Sequence, residues 1–208
     1  MYFFIGCINF FLITSSVIPY TLVLLLIFRD QYSLDSFRIM LHLGISDITQ
    51  LTMQYHSAFS YFFHGQHSNP ILNKICGAVL NAGWTSYVAL TLLLSLNRLV
   101  TVIQLKPIGW LFTGRTLHVL LIACWIWGSV FLIGYLSPAL NLIYVPSLLT
   151  WSYTGDQPLE SVVRQIAVIS ATIQISLTAV VYLAIFIFLW CRRLFIHFPH
   201  VQPAASQV

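Results

Sequence analysis

From Tyr2 to Phe28 the chain carries no charged side chain. As a helix rising about 1.5 Å per residue, that run reaches about 40 Å, enough to cross the hydrocarbon core of a bilayer with some tilt. A cleaved signal peptide does not fit it. The run lacks a basic leader and exceeds the roughly 7–15 apolar residues of a signal sequence. The pattern recurs along the chain, with apolar blocks separated by short clusters of charge. Charged residues make up 7% of the 208 and hydrophobic ones 59%, whereas a soluble domain carries roughly 25% charged residues. So few charges cannot cover a soluble globule. The expected fold is an all-α, polytopic transmembrane helical bundle.

Five spans are expected, at about 2–28, 39–63, 75–97, 117–136 and 165–190. Residues 1–193 then form the transmembrane bundle and 194–208 a short tail. Pro19 kinks the first span, where neighbouring helices can satisfy the freed carbonyl. The segment from His64 to Lys74 reads as a turn because it holds Gly65, Ser68 and Pro70. Thr101 to Arg115 reads as a loop broken by Pro107, Gly109 and Gly114. Ser137 to Glu160, with Gly155, Asp156 and several aromatics, reads as a longer loop lying in the interface or folded over the bundle. Arg29, Arg38, Arg98, Lys106, Arg115, Arg192 and Arg193 fall on one side, and Lys74 and Arg164 on the other. This bias puts the amino terminus outside and the carboxyl terminus in the cytosol.

The net charge of +4 does not imply a nucleic-acid partner, because the basic residues are scattered beside apolar blocks rather than gathered in a stripe. Cys7, Cys76, Cys124 and Cys191 lack the paired short spacing of a zinc or redox site, and His64 and His67 read as solvated loop residues. No metal and no cofactor are expected. No nucleophile-base pair or phosphate loop appears, so the chain does not read as an enzyme.

Two sites stand out. Asp47 is a carboxylate well inside the second span, where an Asp costs roughly 2.5–3.5 kcal/mol at the helix centre unless it faces polar partners or water. Ser46 and Thr49 are its local candidates. It reads either as an ion and water site or as polar glue between helices. Arg98 follows Asn97 at the end of the third span, and reads either as a topology anchor that snorkels to the headgroups or as a coupling site.

With Phe37-Arg38-Ile39-Met40, Leu43-Gly44-Ile45-Ser46-Asp47 and Leu96-Asn97-Arg98 in that order, the chain resembles the rhodopsin-like seven-helix receptors. Among these it is most similar to the nematode serpentine chemoreceptors of class T. Leu111-Phe112-Thr113-Gly114-Arg115-Thr116, Trp125 and Tyr182 extend the resemblance over nearly the whole chain. The resemblance implies a multi-pass receptor of the plasma membrane that binds a small-molecule ligand from outside and acts on a heterotrimeric G protein. It implies that Asn97, Arg98 and Tyr182 form the coupling switch, that Asp47 with Ser46 forms the intramembrane polar site, and that Trp125 packs structurally.

Two departures accompany it. Asn97 replaces the acid that precedes the arginine in most such receptors, leaving at best a neutral hydrogen bond in place of an ion pair. Five spans stand where seven are needed, so a shortened or non-signalling form is an expectation. Cys76 is a candidate for the cysteine that many such receptors carry at the outer end of the third helix, somewhat closer to the arginine than usual, but no cysteine lies between Asn141 and Arg164 to receive it. A Cys7 to Cys76 bridge, and palmitoylation of Cys191, remain open. Tyr55, His56, Trp84 and Tyr87 would suit a small apolar ligand, or belong to an interfacial aromatic belt. The rival functions are a small transporter or channel subunit and a partner that modulates other receptor subunits.

Overall fold

The computed structural model describes residues 2–29, 35–62, 69–154 and 158–197. Asp30, His64, Gly65, His67, Ser68, Gly155, Asp156 and the tail with Pro199 and Pro203 lie outside the described residues. Five long helices make the architecture: α1 (Tyr2–Arg29), α2 (Asp35–Phe62), α3 (Pro70–Ile103), α4 (Gly114–Leu136) and α5 (Pro158–His197). The chain is an all-α polytopic helical bundle. In α1, α3, α4 and α5 the apolar stretches are long enough to cross a membrane. Helix α2 is as long as α1, at 28 residues, but carries His42, Asp47, Gln50, Gln54 and His56. It is packed between α1 and α3, so much of its polar surface meets protein rather than lipid.

Helix α3 is the centre. It packs against α2, α4 and α5, while α1 packs chiefly on α2. Its start differs from the expected turn, because Asn69 caps the helix, its side chain accepting from the Ile71 N–H at 2.9 Å, and Pro70 occupies the first turn. Proline there loses no intrahelical hydrogen bond and presets the helical φ. The other end stops at Gln104, whose left-handed conformation (φ 58°) turns the chain. The expected loop then contains a 3-10 segment over Lys106–Phe112, begun by Pro107.

The interior mixes small and polar residues with apolar ones, while the exterior is made of large apolar side chains, unlike that of a soluble protein. Ser46, Ser57, Ser86, Ser95 and Asn97 are buried, whereas Phe11, Leu25, Ile133, Val180 and Phe186 are exposed. With lipid as solvent, helices gain by close backbone approach and internal hydrogen bonds. Gly128 of α4 shows this, since a Cβ there would run into the Ser86 side chain and the Ala82 carbonyl of α3. One apolar cluster joins α2, α3 and α4 through Ile39, Leu90, Leu93, Phe112, Leu117 and Leu121.

The expected long loop holds an antiparallel hairpin, β1 (Leu142–Val145) and β2 (Thr150–Tyr153), with Leu142 opposite Tyr153 and Val145 opposite Thr150. It folds over the bundle at the end formed by the last turns of α2 and α4 and the first turns of α3.

Candidate functional site

At one end of the bundle, the first turn of α2, the last turns of α3 and the 3-10 segment enclose a cavity of about 600 Å³. Asp35, Ser36, Asn97, Arg98, Lys106 and Phe112 are among the residues that line it. Asn97 is buried and its Oδ1 accepts a 2.6 Å hydrogen bond from the Ser36 hydroxyl. Asn97 therefore ties α3 to α2 and does not pair with Arg98. Successive helical residues point about 100° apart, so the two neighbours serve different directions. Arg98 is exposed, with one guanidinium nitrogen 3.8 Å from the Met40 sulfur and no ion pair among the described residues. Asp35 pairs with Arg38 at 3.7 Å. Tyr182 stands exposed on α5 and is not among the residues lining this cavity.

In mid-bundle the structure separates two residues that were expected to act together. The Ser46 hydroxyl faces α3 and donates to the Gly83 carbonyl at 2.8 Å. Asp47 faces α1, where it lies beside the Tyr20 phenol. Asp47 and Tyr20 line a cavity of about 190 Å³ together with Leu24, Met40, Gly44 and Leu94. Thr49 donates to the Ile45 carbonyl, one turn back on its own helix. The polar partner of Asp47 thus comes from α1.

Trp125 joins α4 to α2. Its indole N–H donates to His42 Nδ1 at 3.0 Å, and its ring packs against the α2, α3 and α4 cluster. The accepting Nδ1 puts the proton of a neutral His42 on Nε2. Pro19 lies inside α1, which is helical on both sides of it.

The four aromatic and histidine candidates for ligand binding do not converge on one cavity. Tyr55 faces α1, its hydroxyl 3.0 Å from that of Thr14 and its ring 5.4 Å from Phe10. His56 faces the hairpin, 6.2 Å from the Trp151 ring, and its buried Nε2 has no hydrogen-bond partner among the described residues. Trp84 and Tyr87 stack on each other at 5.9 Å on α3.

Sequence reasoning missed the fastening of the hairpin. The buried Asn73 on α3 acts like an extra strand residue, accepting from the Tyr144 N–H at 2.8 Å and donating to the Tyr144 carbonyl at 3.2 Å. Tyr144 also shares a short hydrogen bond with Tyr61 of α2. Trp151 donates to Gln54 at 3.2 Å, Tyr153 lies 3.1 Å from the Tyr135 hydroxyl, and Lys74 donates to the Ser137 carbonyl at 2.7 Å. Gly77 lets the hairpin approach closely, since a Cβ there would strike the Leu142 carbonyl. Burial, followed by the contact with Tyr61, pushes the Tyr144 phenol well above its usual range, so it stays protonated and able to donate. Burial raises Tyr153 too. The signal in the sequence was the β-branched and aromatic run Leu142-Ile143-Tyr144-Val145 and the alternation of Thr150-Trp151-Ser152-Tyr153 around Pro146, although nothing local points to Asn73. All four cysteines are free, Cys76 buried and Cys7 exposed, so no bridge between them holds this end together.

The family model for the serpentine type 7TM GPCR chemoreceptor Srt matches residues 3–205. The chain belongs to the Srt family of serpentine chemoreceptors. No curated protein matches it. As an Srt chain it is a multi-pass integral membrane protein of a chemoreceptor family, not an enzyme family.

Proposed function

We propose that this Srt chain takes a small-molecule ligand at its hairpin end and passes the signal along α3 to a heterotrimeric G protein at its Arg98 end. The observation that carries the reading is the open cavity of about 600 Å³ around Arg98, whose guanidinium is exposed and not committed to an ion pair among the described residues. A cation on a flexible stem, beside an open cavity, is available to an incoming partner without first breaking a strong bond.

The charge bias supports an amino terminus outside and a cytosolic tail. It sets seven basic residues at the Arg98 side against Lys74 and Arg164 at the hairpin side. In this reading Arg98 contacts the G protein, Asn97 positions that turn of α3 through Ser36, and Tyr182 turns towards Arg98 on activation. The order of motifs supports reading the five helices as the first five of the seven-helix fold. His56 beneath Trp151, with an unmet buried nitrogen, supports ligand entry under the hairpin. Asp47 and Tyr20 form the polar pair that a shift of α1 against α2 would disturb.

The test is Arg98→Ala in the full chain, at matched surface expression, with nucleotide exchange on the G protein as readout. The substitution is expected to lower exchange by about tenfold or more, the loss of one charged hydrogen bond at about 1.5–3 kcal/mol. Unchanged exchange would overturn the role given to Arg98.

A further inference from the structure

Helices α4 and α5 both lean on α3 but pack little on each other, and a cleft of about 420 Å³ lies between them. This falls within the range of small-molecule sites, roughly 300–1,000 Å³. Leu92 and Leu96 of α3 form its floor, Leu120, Ala123 and Trp127 of α4 one wall, and Gln174 of α5 the other. The spacings, four residues apart on α3 and three and four apart on α4, make each a single helical stripe. Apart from Gln174 the surface is almost wholly apolar.

Gln174 is out of keeping with that surface. Sixteen positions separate it from Pro158, where α5 begins, and nine separate Trp127 from Leu136, where α4 ends. They therefore lie about 24 Å and about 14 Å along their helices from the hairpin end. The Gln174 side-chain amide makes no hydrogen bond among the described residues; its backbone carbonyl accepts from the Thr178 hydroxyl, one turn on. The Trp127 indole N–H, enclosed in the opposite wall, has no acceptor either. Lipid tails cannot satisfy an amide, and unpaired polar groups in hydrocarbon are costly. A phospholipid headgroup or a sterol hydroxyl sits at the interface, too far away to reach this depth. An occupant that meets the amide must carry its polar atom inside an otherwise apolar body.

We propose that the cleft between α3, α4 and α5 binds a neutral apolar molecule bearing one oxygen function, an aliphatic alcohol or ketone dissolved in the bilayer, with that oxygen hydrogen-bonded to Gln174. The site opens within the membrane and is separate from both the hairpin end and the Arg98 cavity.

The experiment uses the full chain in phosphatidylcholine nanodiscs and two photolabels, tridecanone with a terminal diazirine and the matching diazirine alkane without the carbonyl. The ketone is expected to label the peptides containing Leu92, Leu96, Leu120 and Ala123, and excess unlabelled tridecanone to compete it away. Gln174→Leu is expected to lower that labelling about fivefold, the worth of one hydrogen bond, while the alkane labels both chains alike. Gln174→Met, of similar length without the amide, should repeat the loss and serves if the leucine variant does not fold. Equal labelling by ketone and alkane in the unsubstituted chain, or ketone labelling that both variants leave unchanged, would show an ordinary acyl-chain groove and overturn the proposal.

Discussion

The two ends of this bundle are held by different means. At the hairpin end, Asn73, Tyr61, Gln54, Tyr135 and Lys74 all bond to the segment between α4 and α5, mostly from buried or half-buried positions. At the Arg98 end, among the described residues, the Ser36 to Asn97 hydrogen bond and a weak Arg98 contact to the Met40 sulfur sit beside an open cavity. Buried hydrogen bonds in a low-dielectric setting reinforce one another, and each leaves a costly orphan if broken. Exposed ion pairs such as Asp35 with Arg38 contribute little. One end is therefore tied down more firmly than the other.

The largest effect should come from Asn73→Ala. It strips the partner from both the N–H and the carbonyl of Tyr144, and at about 1–3 kcal/mol per unsatisfied buried group the loss is about 3 kcal/mol. Thermal unfolding in nanodiscs should show it, with faster amide exchange over Leu142–Tyr153. Dithiothreitol should leave both readouts of the unsubstituted chain unchanged, because its cysteines are free. A reductant-sensitive hairpin would erase the contrast between the ends.

Raising the pH should loosen the same hairpin by a smaller amount. Burial first, then the contact with Tyr61, raises the Tyr144 phenol in the folded chain. The stability it contributes is thus full below the unfolded tyrosine value of about 10 and is lost as pH climbs above it. Near-ultraviolet circular dichroism of the aromatic cluster should be flat from about pH 6 to 9 and fall above about pH 10. A fall near neutrality would sink this account.

Ser36→Ala should have the smallest effect on stability, about 1 kcal/mol, because Asn97 loses one neutral hydrogen bond next to an open cavity. Its effect on function should exceed its effect on folding, with basal nucleotide exchange on the G protein raised about fivefold. If Ser36→Ala lowered the melting temperature as much as Asn73→Ala, the Arg98 end would be as firmly built as the hairpin end.

Much of the architecture was legible because bilayer solvation imposes long uncharged runs, and these can be counted. The positions of Asp47, Arg98 and Trp125 along their helices were legible for the same reason. Their partners were not. Asp47 and Ser46 are adjacent in the chain, yet one meets Tyr20 of α1 and the other Gly83 of α3, because a step of one residue turns the side chain by about 100°. Asn97 was weighed as a partner for Arg98 and instead bonds to Ser36, 61 positions away. The hairpin's strand signal was faint over two four-residue strands, of which only Thr150–Tyr153 alternates, and its anchor, Asn73, lay in a segment that looked like a turn.

The sequence by itself determined that lipid is the solvent, that the chain is a bundle of helices, and in what order its polar residues enter the membrane. These follow from composition and run length. Only the tertiary structure decided that the loop after α4 is fastened by Asn73 and paired tyrosines rather than by a disulfide, that Asn97 serves α2, and that Gln174 faces a cleft. Those outcomes depend on how each helix is rotated against its neighbours. That rotation is set by close contacts such as Gly128 against Ser86, which no single stretch of the chain contains.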